Sequence, residues 1–327
     1  MTKEIITKTQ GNLLTALCVG FNLFLVSGDT NAKESFETLP ETKDYSFAEA
    51  AIESITGDVY CDKAAENWQN LSYKNIFSKG WGKPWVSPPN GGGGAPRQGW
   101  INAYDGVFYR LSIATFGWQH GNNGDSYAGN LISYTPLNQR LEVITEIPMA
   151  SSTGANGQTN FGDFRITPRI ILSESKNTTQ SFNLTFRTPT GNSINGNGVA
   201  SITPQYQFWH NSWKGLVVRG GAGFTIPYAG ELSKTGVRSS FDANLAIGYY
   251  FTPHDAVPFG DMVWYVSTNL SQPIDNRAAT SNTFVSLTPG FRSHVGDNWY
   301  LLGALEVPVT SNSSYDYQVM GGIMKVY

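Results

Sequence analysis

Apolar and polar residues alternate along most of this chain, and the alternation has a period of two. In "RLEVITEIP", Arg140 to Pro148, the residues Leu141, Val143, Thr145 and Ile147 fall on one side of an extended strand, with Glu142, Ile144 and Glu146 on the other. From about Tyr104 to Tyr327 twelve segments share this character, near 107–118, 129–136, 140–148, 161–173, 179–189, 199–210, 214–226, 237–252, 260–271, 282–295, 298–309 and 315–327. None has the i, i+3, i+4 apolar spacing of a helix, and Gly, Asn, Asp and Pro punctuate the joins. The pattern predicts an all-β chain with an even number of strands.

The joins are sorted by length. "LNQ", "SESKNTT", "NSWK" and "VGDN" are compact, and between them lie longer polar stretches such as "MASSTGANGQTN", "TPTGNSINGNG" and "QPIDNRAATS". Only "TPHDAVPFG" is long where a short turn is due. A transmembrane up-and-down barrel alternates tight periplasmic turns with long outer loops, whereas the crossed connections of a soluble sandwich give no reason for such sorting. The predicted fold is therefore a transmembrane antiparallel up-and-down β-barrel of about twelve strands, embedded in outer-membrane lipid.

Strand parity then decides where the charges go. With Leu141, Val143, Thr145 and Ile147 toward lipid, Glu142 and Glu146 face the lumen, and the same parity places Arg165 and Arg169 inside. Repeating the exercise adds Arg110, Arg187, Arg219, Asp242, Arg292 and Glu306, against outward sets such as Phe182, Leu184, Phe186 and Leu301, Leu305, Val307. An Arg facing hydrocarbon at mid-depth costs roughly 2–4 kcal/mol, so a barrel that left several outside would fail. These luminal charges form either a selectivity lining for a passing solute or a set of salt bridges that fills the interior. Phe208, Trp209, Trp213, Tyr249, Tyr250, Phe251, Phe291, Trp299 and Tyr300 lie beside the compact turns and are expected to form an interfacial girdle.

Upstream of the barrel, residues 33–103 differ in character. "SFAEAAIESI" predicts a short helix opened by a capping box, Ser46 with Glu49 three residues on. The stretch from 67 to 103 is rich in Trp, Gly and Pro and predicts an irregular linker or cap, with Trp81, Trp85 and Trp100 available to fold into the bore as a plug. Residues 1–32 carry Lys3 and Lys8 before an apolar run and a small-residue exit near Ala32, the pattern of an export signal. The barrel proper is assigned to 104–327.

Composition narrows the function classes. Charged residues make up 14% of the 327, aromatics 13%, and there are 35 glycines, against about a quarter charged in ordinary soluble domains. A net charge of -3 and a pI near 5.8 give no basic face for nucleic acid. Past the signal only Cys61 remains, leaving no intrachain disulfide or two-cysteine zinc site. His120, His210, His254 and His294 lack metal-ligand spacing, "NGGGGAP" and "GNSINGNG" lack the Lys-Ser/Thr of a phosphate loop, and no G-x-S-x-G elbow occurs. Neither a cofactor nor a metal is expected, and no catalytic residue is assigned.

"LNQRLEVITEIP", "TNFGDFRITPRIIL" and "SFNLTFRTPTGN" resemble the outer-membrane barrels of the phenol meta-pathway degradation family over about residues 129–327. The terminal Tyr327 is similar to the aromatic residue such barrels present to the barrel-assembly machinery, with Lys325 a departure from the usual apolar neighbour. Membership implies an outer-membrane location and passive transport of small, hydrophobic or aromatic solutes. Two other classes compete: an anchor whose loops near 149–160 and 189–198 bind a surface partner, and a lipid-modifying enzyme with a Ser–His pair at the outer rim.

Overall fold

The structure, a computed structural model, describes residues 45–121, 124–152, 159–191, 196, 198–230, 239–274, 283–311, 313 and 315–327. The expected signal segment lies outside the described residues, as do most of the loops near 149–160 and 189–198.

Thirteen strands form one sheet: β1 (Leu111–His120), β2 (Ser126–Pro136), β3 (Leu141–Ser152), β4 (Thr159–Phe161), β5 (Arg165–Ser175), β6 (Thr178–Arg187), β7 (Val199–Trp213), β8 (Leu216–Gly230), β9 (Ser240–Tyr250), β10 (Gly260–Pro273), β11 (Phe284–Gly296), β12 (Trp299–Pro308) and β13 (Tyr317–Val326). Twelve of them close into an antiparallel ring, with β13 returning to β1 from Leu111↔Val326 to His120↔Tyr317. β4 is a three-residue addition to the far end of β3. Closure leaves the twelve-strand ring without a free edge, the requirement for a sheet in hydrocarbon, and excludes the open sandwich.

The outer wall is apolar and exposed at Phe116, Phe182, Leu245, Ile247, Trp264, Val266, Leu301, Leu305 and Ile323. Such a continuous belt is a lipid-facing surface. One ring end carries the short connections between β2 and β3, β5 and β6, β7 and β8, and β11 and β12, together with the longer β9–β10 turn. That end faces the periplasm in barrels of this kind.

One sequence expectation changes. The first strand starts at Leu111 rather than near 107, because residues 104–109 run inside the ring, their backbone N–H groups held by inward side chains of the wall. Of the two readings of 67–103, irregular linker or cap, the packing fits the cap: Trp85, Ala95, Trp100 and Ile101 are buried in apolar clusters. Upstream, α1 (Phe47–Thr56) has the expected capping box, Ser46 accepting from the Glu49 N–H while the Glu49 carboxylate accepts from Ser46. A short α2 (Asp62–Ala65) and a 3-10 turn (Tyr73–Asn75) follow. Among the described residues no helix is long and apolar enough to cross a membrane; the strands do the crossing.

Candidate functional site: the barrel lumen

A backbone outside regular structure must find partners for its N–H and C=O groups, above all when buried. Residues 97–110 solve this inside the ring by using the inward side chains of the wall. Arg219 donates through Nε to the Tyr104 carbonyl (2.8 Å), through Nη1 to that of Gln98 (2.7 Å) and through Nη2 to that of Ala103 (3.1 Å). Asn244 accepts from the Tyr104 N–H (2.9 Å), Gln207 from the Gly106 N–H (3.1 Å) and Glu142 from the Tyr109 N–H (2.6 Å). Tyr265 donates to the Ile101 carbonyl (3.0 Å) and Ser267 to that of Asn102 (2.7 Å). The segment therefore enters from the short-turn end, reaches the middle of the ring at Asn102, and returns to begin β1.

Its turn requires a glycine. Gly106 has φ +68, and a Cβ there would lie 2.8 Å from the Gln207 carbonyl oxygen, so both the left-handed backbone and the close approach to β7 exclude side chains.

Charge reinforces the grip. Asp105, beside that glycine, pairs with Arg219 (3.0 Å) and with Arg169 (3.1 Å). Arg169 also reaches Glu142 (3.3 Å), Asn183 (3.1 Å), Gln207 (3.1 Å) and the Val107 carbonyl. Two guanidinium groups and two carboxylates thus share one dry site in which every member is hydrogen-bonded, the condition under which buried ions are tolerated. Trp100 stacks on Tyr265 (4.7 Å between centroids), donates to the Tyr250 hydroxyl (3.0 Å) and lies under the Arg219 guanidinium (4.5 Å). Around it Trp209, Val217, Val263, Leu302 and Met324 complete an apolar core inside the short-turn half of the barrel. A cavity of about 260 Å³ remains beneath, lined by Tyr60, Trp85, Arg97, Tyr109, His254 and Tyr300.

The sequence-predicted lumen residues fall into three groups. Glu142, Arg169 and Arg219 meet at the inserted segment, as above. Arg292 is fully buried beside Tyr250 and Tyr300 (5.2 and 4.9 Å to the ring centres) and donates to the Asp261 carbonyl. Toward the long-loop end, Glu146 pairs with Arg165 (3.0 Å) and Arg187 with Asp163 (2.7 Å). There Asp242 accepts from the Thr225, Ser240 and Ser271 hydroxyls, and Glu306 accepts from Ser286. Among the described residues neither Asp242 nor Glu306 has a cationic partner.

Arg110 is a correction. It precedes β1 and sits at the short-turn mouth, where Nε and Nη2 donate to the Tyr327 carbonyl oxygen (2.9 and 2.8 Å) and Nη1 to the carbonyls of Gly57 and Ile55. Alternation did not apply to it because residue 110 is not in a strand. Tyr60 completes this fastening by donating to the Arg110 carbonyl and accepting from its N–H. The aromatic girdle is corrected too. Trp213, Tyr249 and Phe251 are exposed on the outer wall, whereas Trp209, Tyr250 and Tyr300 alternate inward and pack the core.

Asp105, Asn244 and Gln207 were not anticipated. Asn244 shares the parity of Asp242, and Gln207 that of Trp209 on its strand, so neutral amides at inward positions could have been found by extending the parity argument. Asp105 had no such signal, because its role depends on where an irregular segment lies. Among the described residues no group of three or more His, Cys, Asp or Glu side chains is arranged to hold a metal ion: His254 pairs with Asp261 (2.7 Å) and stacks on His294, and His210 meets Thr178 on the outer wall. At the outer rim His120 pairs with Asp125, while Ser126 turns to Gln119.

A family model described as "Putative MetA-pathway of phenol degradation" matches residues 88–304, more than half of the chain and including the inserted segment. No curated protein sequence matches. Among solved structures, an outer-membrane channel from Pseudomonas putida F1 is similar over 70% of this chain and 100% of its own, at 14% identity and a TM-score of 0.53. The KdgM porin (9% identity, TM-score 0.46) and the NanC porin (8%, 0.48) each cover 66% of this chain and 99% of their own. At these identities the likeness is one of fold, that of an outer-membrane barrel.

Proposed function

The chain belongs to the family described as "Putative MetA-pathway of phenol degradation", and from that premise and the lumen geometry we propose that it is a passive outer-membrane channel for small solutes. The observation that carries this reading is the polar inner wall of the long-loop half, where Thr185, Thr203, Thr225, Ser271 and Ser286 contribute hydroxyls and Asp242 a carboxylate. Such a wall suits a small amphipathic solute, an aromatic ring bearing hydroxyls, better than a purely apolar one, because each group desolvated in the bore finds a partner.

Residues 97–110 act in this reading as a plug, and the barrel as described is its closed state. Opening then requires the segment to leave Arg219 and Arg169, or to shift within the ring. The luminal charges serve both purposes named from the sequence: those in the short-turn half hold the plug, and those beyond it line the path. Export through residues 1–32 and assembly through the strand ending at Tyr327 belong to the same proposal.

The test is permeation into liposomes containing the purified protein, with phenol-like and sugar-like solutes of equal size. Entry of the hydroxylated aromatic above the protein-free background is expected. No entry of either solute, for the native chain and for one lacking residues 97–106, would reject the channel reading.

A further inference from the structure

Outside the lumen, Phe77 is the most exposed large hydrophobic side chain among the described residues. Phe77 is 93% exposed, and Tyr73 in the same loop is 52% exposed. The loop carrying them is nonetheless tightly held. Leu71 pairs with Glu174 at the short-turn end of β5, in the gap left where β3 begins only at Leu141. Arg140, fully buried, then collects the loop: Nε donates to the Lys79 carbonyl (2.8 Å), and Nη2 to those of Ser72 (3.2 Å) and Asn75 (3.1 Å) and to the Asn75 side chain. Its Nη1 donates to the Ile171 and Leu172 carbonyls of the wall. A guanidinium that satisfies both loop and strand fixes one against the other.

The place where it is fixed is the rim of the lipid-facing wall. Tyr73 donates to Gln180, which alternates outward on β6 two residues before the exposed Phe182, and Gln180 pairs in register with Phe208 of β7 near the exposed Tyr206. Lys74, between the two loop aromatics, is exposed as well. A rigid loop offering an aromatic pair and a lysine at the edge of a hydrocarbon belt has the composition of a membrane-interface anchor, in which rings sit at headgroup level and an ammonium meets phosphate.

We propose that the 72–79 loop docks on the phospholipid leaflet at the short-turn end, Phe77 entering the headgroup boundary and Lys74 meeting lipid phosphate. The loop continues the lipid belt of β6 and β7 beyond the last outward strand residues. It ties the cap, and through Arg140 the β2–β3 turn, to the bilayer surface. This docking is independent of which solute the lumen passes.

The experiment is site-directed spin labelling of the full chain with Phe77→Cys, in a background where Cys18 and Cys61 are serine, reconstituted into phosphatidylethanolamine–phosphatidylglycerol vesicles. Oxygen, which concentrates in lipid, and a water-soluble nickel chelate compete as relaxants. The oxygen-to-nickel ratio at residue 77 is expected to exceed by severalfold that of a label at the exposed Asp62. A ratio equal to that at residue 62 would place Phe77 in water and overturn the proposal. Protection from both reagents would put protein over it, such as residues 33–44, and would overturn it equally. Lys74→Glu in the labelled chain is expected to lower the ratio at 77, and an unchanged ratio would remove the phosphate contact.

Discussion

On the same six strands, the two halves of the bore have different interiors. Toward the short turns the inward residues are Trp209 on β7, Val217 on β8, Tyr250 on β9, Tyr265 on β10, Arg292 on β11 and Leu302 on β12. Toward the long loops they become Thr203, Thr225, Asp242, Ser271, Ser286 and Glu306, whose hydroxyls and carboxylates bond one another across the strands. The first half is a protein core, packed around an inserted segment; the second is a polar wall. The same strands line both halves, so the difference comes from what their inward residues meet. Where a chain segment fills the bore, apolar and aromatic side chains gain by burial; toward the long loops the inward hydroxyls and carboxylates satisfy one another by hydrogen bonds instead.

That contrast predicts which changes matter most. Replacing residues 97–106 by a short Gly-Ser linker should raise single-channel conductance sharply, because it empties the packed half, whereas removing residues 45–87 should raise it much less. Equal conductance from the two deletions would mean that the inserted segment is not the barrier. Arg219→Gln leaves Asp105 with one partner and three plug carbonyls without a donor, and should cost about 3–5 kcal/mol. The loss is read as a lowered temperature for the gel shift of the folded barrel in detergent, with a rise in conductance. A variant as stable as the parent would show that the guanidinium does not hold the segment.

Trp100→Ala removes the ring stacked between Tyr265 and Arg219 and should destabilise by about 3–5 kcal/mol at the upper end, less if the core relaxes into the space. The same measurement checks it, and the size relative to Arg219→Gln separates packing from charge. On the outer wall, Leu301→Arg should cost roughly 2–4 kcal/mol if that position lies near mid-bilayer. A smaller loss would move it toward the interface. In the polar half, Asp242→Asn keeps its hydroxyl partners and should change stability by about 1 kcal/mol or less. Its readout is reversal potential across a salt gradient, where loss of the carboxylate charge should weaken preference for cations.

Most of the wall was legible from alternation. The outward placement of Leu301, Leu305 and Val307 and the inward placement of Glu142, Arg169, Arg219 and Glu306 follow from a side-chain period that a strand cannot escape. The facing pairs Glu142 with Arg169 and Glu146 with Arg165 also follow once β3 and β5 are neighbours. The argument weakened at strand ends. Trp209, Tyr250 and Tyr300 were assigned to the girdle from their nearness to turns, although their parity points inward, and Arg110 was assigned to the lumen although it precedes the first strand.

By itself, then, the sequence determined the all-β class, the strand count, the face each side chain takes, the helix with its capping box, and the separation of charge from lipid. These are local or periodic properties, set by backbone sterics and by the cost of charge in hydrocarbon. Only the tertiary structure decided that residues 97–110 enter the ring, that Asp105 joins Arg169 to Arg219, and that Arg140 fastens Phe77 to the rim. An irregular segment has no period to read, and its place depends on which distant side chains can satisfy its backbone.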